Sequence, residues 1–309
     1  MNPNNAIQKA MNRRSFIAGA ASGVAGALAM GSALPLQAQQ AAAAAQQGPP
    51  PLPPAASVPA GRVFYSAIEG ETLKMRGYKG DSIDAYMARP TAPGKYPGVV
   101  VVHHMPGWDE ATIEITRKFA QHGYNAICPN LHFRGGKATS EGNAAAMREA
   151  GGLTDASAMG DLEGAIKHLR AMHDLNGKVG IIGYCSGGRQ VYLAACTLKG
   201  IDAAVACYPG GVAAGSAALT PATPVDPLDL SKDMSCPIMT ISGRDDQRPS
   251  PAHIARIDAE LTRLNKVHEV HIYDNAGHSI FATDQASYRP VAAMDGWKNI
   301  FRWYEKYLG

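Results

Sequence analysis

From about residue 61 onward, short apolar runs alternate with stretches in which apolar residues recur every third or fourth position. The runs read as strands: RVFYSAI (62–68), SIDAYMAR (82–89), GVVVVHH (98–104), NAICPN (125–130), KVGIIGY (178–184), AAVACY (203–208), PIMTISG (237–243) and HEVHIYD (268–274). Helical spacing falls near 109–122, 155–172, 186–198, 250–265 and 295–308. The segment DASAMGDLEGAIKHLRAM illustrates it, opening on an Asp cap and then repeating apolar residues on one face. The central strands are almost continuously apolar, as strands buried on both faces must be. Alternating units of this kind predict an α/β class: a doubly wound, mostly parallel sheet flanked by helices, with ligands bound at the C-terminal ends of the strands.

The first 60 residues follow a different pattern. Arg13 and Arg14, in NRRSFI, precede an uncharged stretch rich in Ala, Gly and Leu from Phe16 to Leu36, and LQA at 36–38 offers a small-residue cleavage site. This is the form of a twin-arginine export signal, so residues 1–38 are expected to engage the twin-arginine translocase and to deliver the protein to the periplasm. An uncleaved membrane anchor is the alternative, since the stretch is long enough to span a bilayer. Residues 39–60 are Ala, Gln and Pro of low complexity and are expected to form a disordered linker. The remainder, 61–309, suffices for one domain.

Charge narrows the partners. Removing Lys9, Arg13 and Arg14 with the leader takes the formal net charge of +3 to zero. A neutral mature chain argues against nucleic acid as a partner and toward a small molecule. The five cysteines, at 128, 185, 196, 207 and 236, have no paired metal-site spacing, and their odd number leaves at least one thiol without an internal disulfide partner.

The stretch GYCSGGRQ, residues 183–190, has two candidate nucleophiles after an apolar strand. It has the form of a nucleophile elbow, a sharp strand-to-helix turn whose strained central residue needs tiny neighbours two positions before and after. Around Cys185 these are Gly183 and Gly187; around Ser186 they would be Tyr184 and Gly188. A tyrosine does not suit the crowded position. Cys185 is therefore read as the nucleophile and the Ser186 N–H as half of an oxyanion hole. A thiol nucleophile needs a base and an acid to orient it. The strand at 237–243 runs into RDDQRPSP and the strand at 268–274 into NAGHSIF, giving the chain order Cys185, Asp246, His278, with Asp245 as the alternative acid.

With VGIIGYCSGG, GRDDQRPSP, NAGHSIF, HGYNAICPNL and GDLEGAIKHL, residues 61–309 resemble the dienelactone hydrolase family, carboxymethylenebutenolidase-like enzymes of the α/β-hydrolase fold. The resemblance implies a catalytic triad of Cys185, Asp246 and His278, an oxyanion hole of the Met105 and Ser186 amides, hydrolysis of an ester or lactone through a thioacyl-enzyme, and no metal or other cofactor. Hydrolysis of a thioester or amide on the same triad is the rival within enzymes; a non-catalytic ligand-binding or thiol-sensing protein is the rival outside them.

The chain also departs from the family. Dienelactone hydrolases carry a glutamate where this sequence has His104, and an arginine where it has Ala282; Arg148 or Arg134 is available to replace a second substrate-binding arginine. An imidazole at 104 is expected to stand beside the cysteine and, when protonated, to favour its thiolate. His104, Trp108, Phe133, Tyr208 and Phe281 are the candidate pocket residues. His103, His104 and His132 with Asp109 use the vocabulary of metal ligands, but the family's chemistry needs no metal, and they are read as supporting or substrate-facing groups.

Overall fold

The computed structural model describes residues 63–64, 67–283, 285–286 and 288–309, all within one compact unit spanning 56–309. The proposed leader and most of the linker lie outside the described residues. The strands are β1 (Val63–Phe64), β2 (Ile68–Arg76), β3 (Ser82–Pro90), β4 (Tyr96–Val102), β5 (Asn125–Pro129), β6 (Leu175–Tyr184), β7 (Ala203–Cys207), β8 (Ile238–Gly243) and β9 (His268–Tyr273). They form one sheet in the order β1-β2-β3-β5-β4-β6-β7-β8-β9. From β5 to β9 all pairs are parallel; β1 to β3 add an antiparallel edge. The helices are α1 (Glu110–Gln121), α2 (Ser140–Glu149), α3 (Asp155–Arg170), α4 (Ser186–Thr197), α5 (Pro251–Arg263) and α6 (Pro290–Leu308). Among the described residues no helix is long and apolar enough to cross a membrane.

The sheet edge and one helix differ from expectation. The strand expected at 62–68 is instead the short β1 followed by the nine-residue β2, which pairs along its whole length with β3. Helix α2 was not expected. Its N-cap Thr139 accepts a hydrogen bond from Gly142 N, but its apolar face is mostly alanine and gives little periodic signal.

Alternate residues of the central strands feed two cores. Val100, Val102, Ile181, Ala204 and Ala206 face α3, α4 and α5, where Leu162, Leu169, Val191 and Ile257 are buried. Val99, Val101, Ile182 and Val205 face α1 and α6, against Phe119, Ile300, Trp303 and Tyr304. This two-sided burial is what the continuous apolar runs require, because successive strand side chains point to opposite faces. The chain leaves β4 for β5 on one side and returns as β6 on the other. Loops leaving the C-terminal ends of β4 and β6 therefore diverge, and a crevice opens between them.

Candidate active site

At the end of β6 the backbone turns directly into α4 through Cys185, whose φ of 56° and ψ of −117° lie where a residue with a Cβ is strained. The flanking glycines make this turn possible. A Cβ on Gly183 would lie 2.3 Å from the Gly187 carbonyl oxygen, and one on Gly187 would lie 2.4 Å from that of Val102. The turn is pinned by Cys185 N donating to the Cys207 carbonyl at 3.1 Å and by Gly188 N donating back to the Cys185 carbonyl at 3.0 Å. Cys185 is half-buried, whereas Cys128, Cys196, Cys207 and Cys236 are buried and unpaired. Burial pushes those four thiols up, Cys196 and Cys236 to about 12.

His278 and Asp246 come to this turn from the loops after β9 and β8. His278 Nδ1 lies 2.8 Å from Asp246 Oδ2, and the ring is near enough to Cys185 for the thiol to act on its pKa. Asp246 is 2% exposed and accepts Arg248 N at 2.7 Å with its other oxygen, so the carboxylate is fixed at both ends. Burial lowers the His278 pKa, but the hydrogen bonds and charges of Asp246 and Cys185 outweigh it and raise the value to about 9. The neighbouring Asp245 is exposed, and no hydrogen bond joins it to His278 among the described residues.

The loop after β4 carries Met105, which lines the same cavity as Ser186. His103 is buried beneath this loop: its Nε2 accepts Leu131 N–H at 3.1 Å, which leaves Nδ1 as the protonated nitrogen, 2.8 Å from the His104 carbonyl. Burial, reinforced by the charge of His132, pushes its pKa down to about 3, so the ring stays neutral in this tautomer. The same carbonyl accepts Gly107 N at 3.0 Å. A trans peptide points its N–H opposite its carbonyl, so these two bonds aim Met105 N–H away from the loop's interior. Among the described residues neither Met105 N–H nor Ser186 N–H has a protein acceptor.

Two cavities flank the turn. One, of about 290 Å³, is lined by Met105, Ser186, His132, Gln190 and Arg148. Of the two arginines considered from sequence, Arg148 reaches this cavity, while Arg134 is occupied by Asp161 and Asp81. His132 Nδ1 and Gln190 Oε1 are buried there with no hydrogen-bond partner among the described residues, and burial together with the Arg148 charge pushes His132 down to about 4. The other cavity, of about 360 Å³, is lined by His104, Tyr184, Tyr208, Phe281, Ala282 and Trp297.

Three sequence expectations need correction. Phe133 lines neither cavity; it packs against the core, with the Lys74 ammonium 4.8 Å from its ring centre. Trp108 is a packing residue whose indole N–H donates to the Cys128 carbonyl at 3.1 Å. His104 turns its Nε2 to Asp109 Oδ2 at 2.5 Å, and no hydrogen bond joins it to Cys185 among the described residues. Asp109 can do this because it caps α1 with its other oxygen, accepting Thr112 N; burial disfavours its carboxylate, but His104 and Thr112 hold its pKa below the ordinary value. Tyr184, whose ring was read from sequence only as a bulky obstacle in the elbow, lines the second cavity.

The sheet, the elbow and the loop order place the protein among the α/β-hydrolases. The dienelactone hydrolase family model matches residues 83–308, and the chain belongs to that family. A protein of Methylorubrum extorquens, provisionally named a carboxymethylenebutenolidase, is 32% identical over 228 residues, covering 73% of this chain and 77% of the relative. The crystal structure of a provisionally assigned dienelactone hydrolase from Klebsiella pneumoniae superimposes with a TM-score of 0.71 at 29% identity, covering 78% of this chain and all of that one. The acylaminoacyl peptidase of Pyrococcus horikoshii shares the fold, with a TM-score of 0.63 at 19% identity, over 79% of this chain and 42% of that one.

Proposed function

We propose that this protein is an exported, cysteine-dependent hydrolase of ester or lactone bonds. The observation that carries the reading is the strained Cys185 at the elbow, beside a histidine whose pKa it helps to raise and that Asp246 holds at 2.8 Å. The Cys185 thiol gives its proton to the free nitrogen of His278, and the sulfur attacks the substrate carbonyl carbon. The oxyanion is met by the Met105 and Ser186 amides, each such donor being worth a factor of roughly 10²–10³ in rate. The carbon–oxygen bond to the leaving group breaks as His278 returns the proton to that oxygen. Water, deprotonated by His278, then cleaves the thioester and releases the acid. The names of the curated relatives, which state action on a butenolide, support a lactone or ester as the bond cleaved. Periplasmic export rests on Arg13, Arg14 and the apolar stretch after them.

The test is turnover of a panel of nitrophenyl esters and unsaturated lactones by the wild type, Cys185→Ala and Ser186→Ala. Cys185→Ala should lose nearly all activity, and Ser186→Ala should keep most of it, because alanine retains the amide. Equal activity of wild type and Cys185→Ala would remove the reading; a Ser186→Ala variant as inactive as Cys185→Ala would move the nucleophile to Ser186.

A further inference from the structure

The two cavities meet the elbow through different residues, one through Met105 and Ser186 and the other, the aromatic one, through Tyr184 and Tyr208. Tyr208 links the latter to His278: its ring centre is 4.9 Å from that of His278, edge to face, and it lines the aromatic cavity. Tyr208 is held there against its own backbone preference, at φ 38°, by its N–H donating to the Ile241 carbonyl at 2.5 Å. An aromatic residue in the left-handed region is uncommon, and such strain collects at functional sites.

The aromatic wall of the cavity is suited to a flat apolar group, while Thr112, Lys118, Gln121 and Thr283 contribute polar lining, with the Lys118 ammonium 4.5 Å from the Trp297 ring centre. Phe281 stands 5.9 Å from Tyr184 and 5.2 Å from Trp297, and Ile115 and Ala282 complete the apolar surface. Glu110 and Glu114, the acids at its edge, are both engaged by Arg117. At about 360 Å³ the space lies at the small end of the range of ligand pockets, about 300–1,000 Å³, and accommodates one or two rings. Aromatic walls favour an aromatic guest through offset and edge contacts.

We propose that this cavity holds the leaving group and that the preferred substrates are aryl esters, whose departing alcohol is a phenol of one or two rings. This rests on the Cys185–His278 reading of the site. Chemistry favours the same class. The tetrahedral intermediate expels its better leaving group, and a thiolate, whose parent acid has an ordinary pKa of about 8.5, competes closely with a phenolate near 10 and outcompetes an alkoxide. Attack forms the carbon–sulfur bond, the carbon–aryloxy bond breaks with its electron pair on oxygen, and the proton held by His278 goes to that oxygen. His278, raised to about 9, is matched in acidity to a phenol.

The test uses acetate esters that share one acyl group and have leaving groups of similar acidity: 2-naphthyl, phenyl and hexafluoroisopropyl. The expected result is a kcat/KM for 2-naphthyl acetate about tenfold or more above that for hexafluoroisopropyl acetate, each corrected for spontaneous hydrolysis. Ile115→Trp, which fills the cavity, should collapse that ratio, and 2-naphthol should inhibit the wild type competitively. Turnover of all three esters at equal kcat/KM, or 2-naphthol without effect, overturns the aryl preference while leaving the triad reading intact. A ratio unchanged in a folded Ile115→Trp variant also overturns it, and 2-naphthol inhibition decides the matter if that variant does not fold. Failure to hydrolyse any of the three, with Cys185 still alkylated by iodoacetamide, overturns the hydrolase reading itself.

Discussion

Replacing the buried carboxylate by its isosteric amide, Asp246→Asn, separates charge from shape at the base. The amide oxygen can still accept Arg248 N–H, so the loop after β8 should keep its course. What is lost is a negative charge 2.8 Å from His278 Nδ1. Two unit charges about 4 Å apart at an effective dielectric near 20 interact by roughly 4 kcal/mol, which corresponds to about a thousandfold in rate if the imidazolium carries that stabilisation in the transition state. An amide N–H pointing at Nδ1 also favours the wrong tautomer, which takes the expected loss toward ~10⁴. The assay is kcat/KM for an activated ester from pH 6 to 10. In the wild type, a group with a pKa of about 9 should produce an alkaline limb, because the leaving oxygen needs the His278 proton. In Asp246→Asn that limb should move acidward, since burial, which lowers the value, is then opposed by Cys185 alone. Stability follows the same sign. The raised pKa stabilises the fold fully below the unfolded value near 6.5, and that contribution is lost as pH rises through about 9. A loss of less than tenfold, or a large loss from Asp245→Asn with little from Asp246→Asn, would refute the assignment of the acid.

Three other outcomes are expected. Gly187→Ala places a methyl 2.4 Å and 2.6 Å from the Val102 and His103 carbonyl oxygens, so thermal denaturation should show a loss of roughly 1–3 kcal/mol or more, together with collapse of turnover. His103→Ala releases the His104 carbonyl and should lower kcat by about 10- to 100-fold with little change in KM, because Met105 N–H then loses its aim at the oxyanion; a change confined to KM would assign His103 to binding instead. Replacing Arg13 and Arg14 by lysine should leave the precursor in the cytoplasm, as fractionation with an antibody to the mature domain would show, and normal periplasmic accumulation would refute the export proposal.

The sheet was legible in the chain wherever a strand is buried on both faces, since β4, β7 and the buried part of β6 from Val179 to Tyr184 have no charged or strongly polar residue, and β8 interrupts its apolar run only with the small Thr240 and Ser242. It was obscure at the antiparallel edge. In β2 the polar residues Glu69, Glu71 and Thr72 are only half-buried and Lys74 is exposed, so the strand is specified by its pairing with β3 and not by its own hydrophobicity. The elbow was legible because backbone strain leaves a composition that only glycine satisfies. Side-chain direction was not. Nothing in HHMPGWDE states that Asp109 will cap α1 and hold His104, or that His103 will turn beneath its own loop. Likewise, Phe133 and Trp108 differ from Phe281 only in the face to which the fold turns them, and aromatic character alone does not record that.

The placement of the proposed reacting groups follows from one geometric fact: β6 and β7 are adjacent and parallel, and each is followed at once by a non-glycine residue at positive φ. Cys185 follows β6, and Tyr208 follows β7. They are tied directly, because the Cys185 amide donates to the carbonyl of Cys207, the residue before Tyr208. The same peptide region thus fixes both the sulfur and the aromatic wall against which His278 rests. Strain at each position would relax if the other were free to move, but the Ile241 carbonyl holds Tyr208 from the β8 side, while the Val102 and His103 carbonyls close on Gly187 from the β4 side. Four neighbouring strands therefore lock one turn, and a site carried on the ends of buried strands is more rigid than one carried on loops alone. Conformational strain is thereby kept at Cys185, where the proposed nucleophile needs it, and the surrounding sheet supplies the packing that offsets its cost.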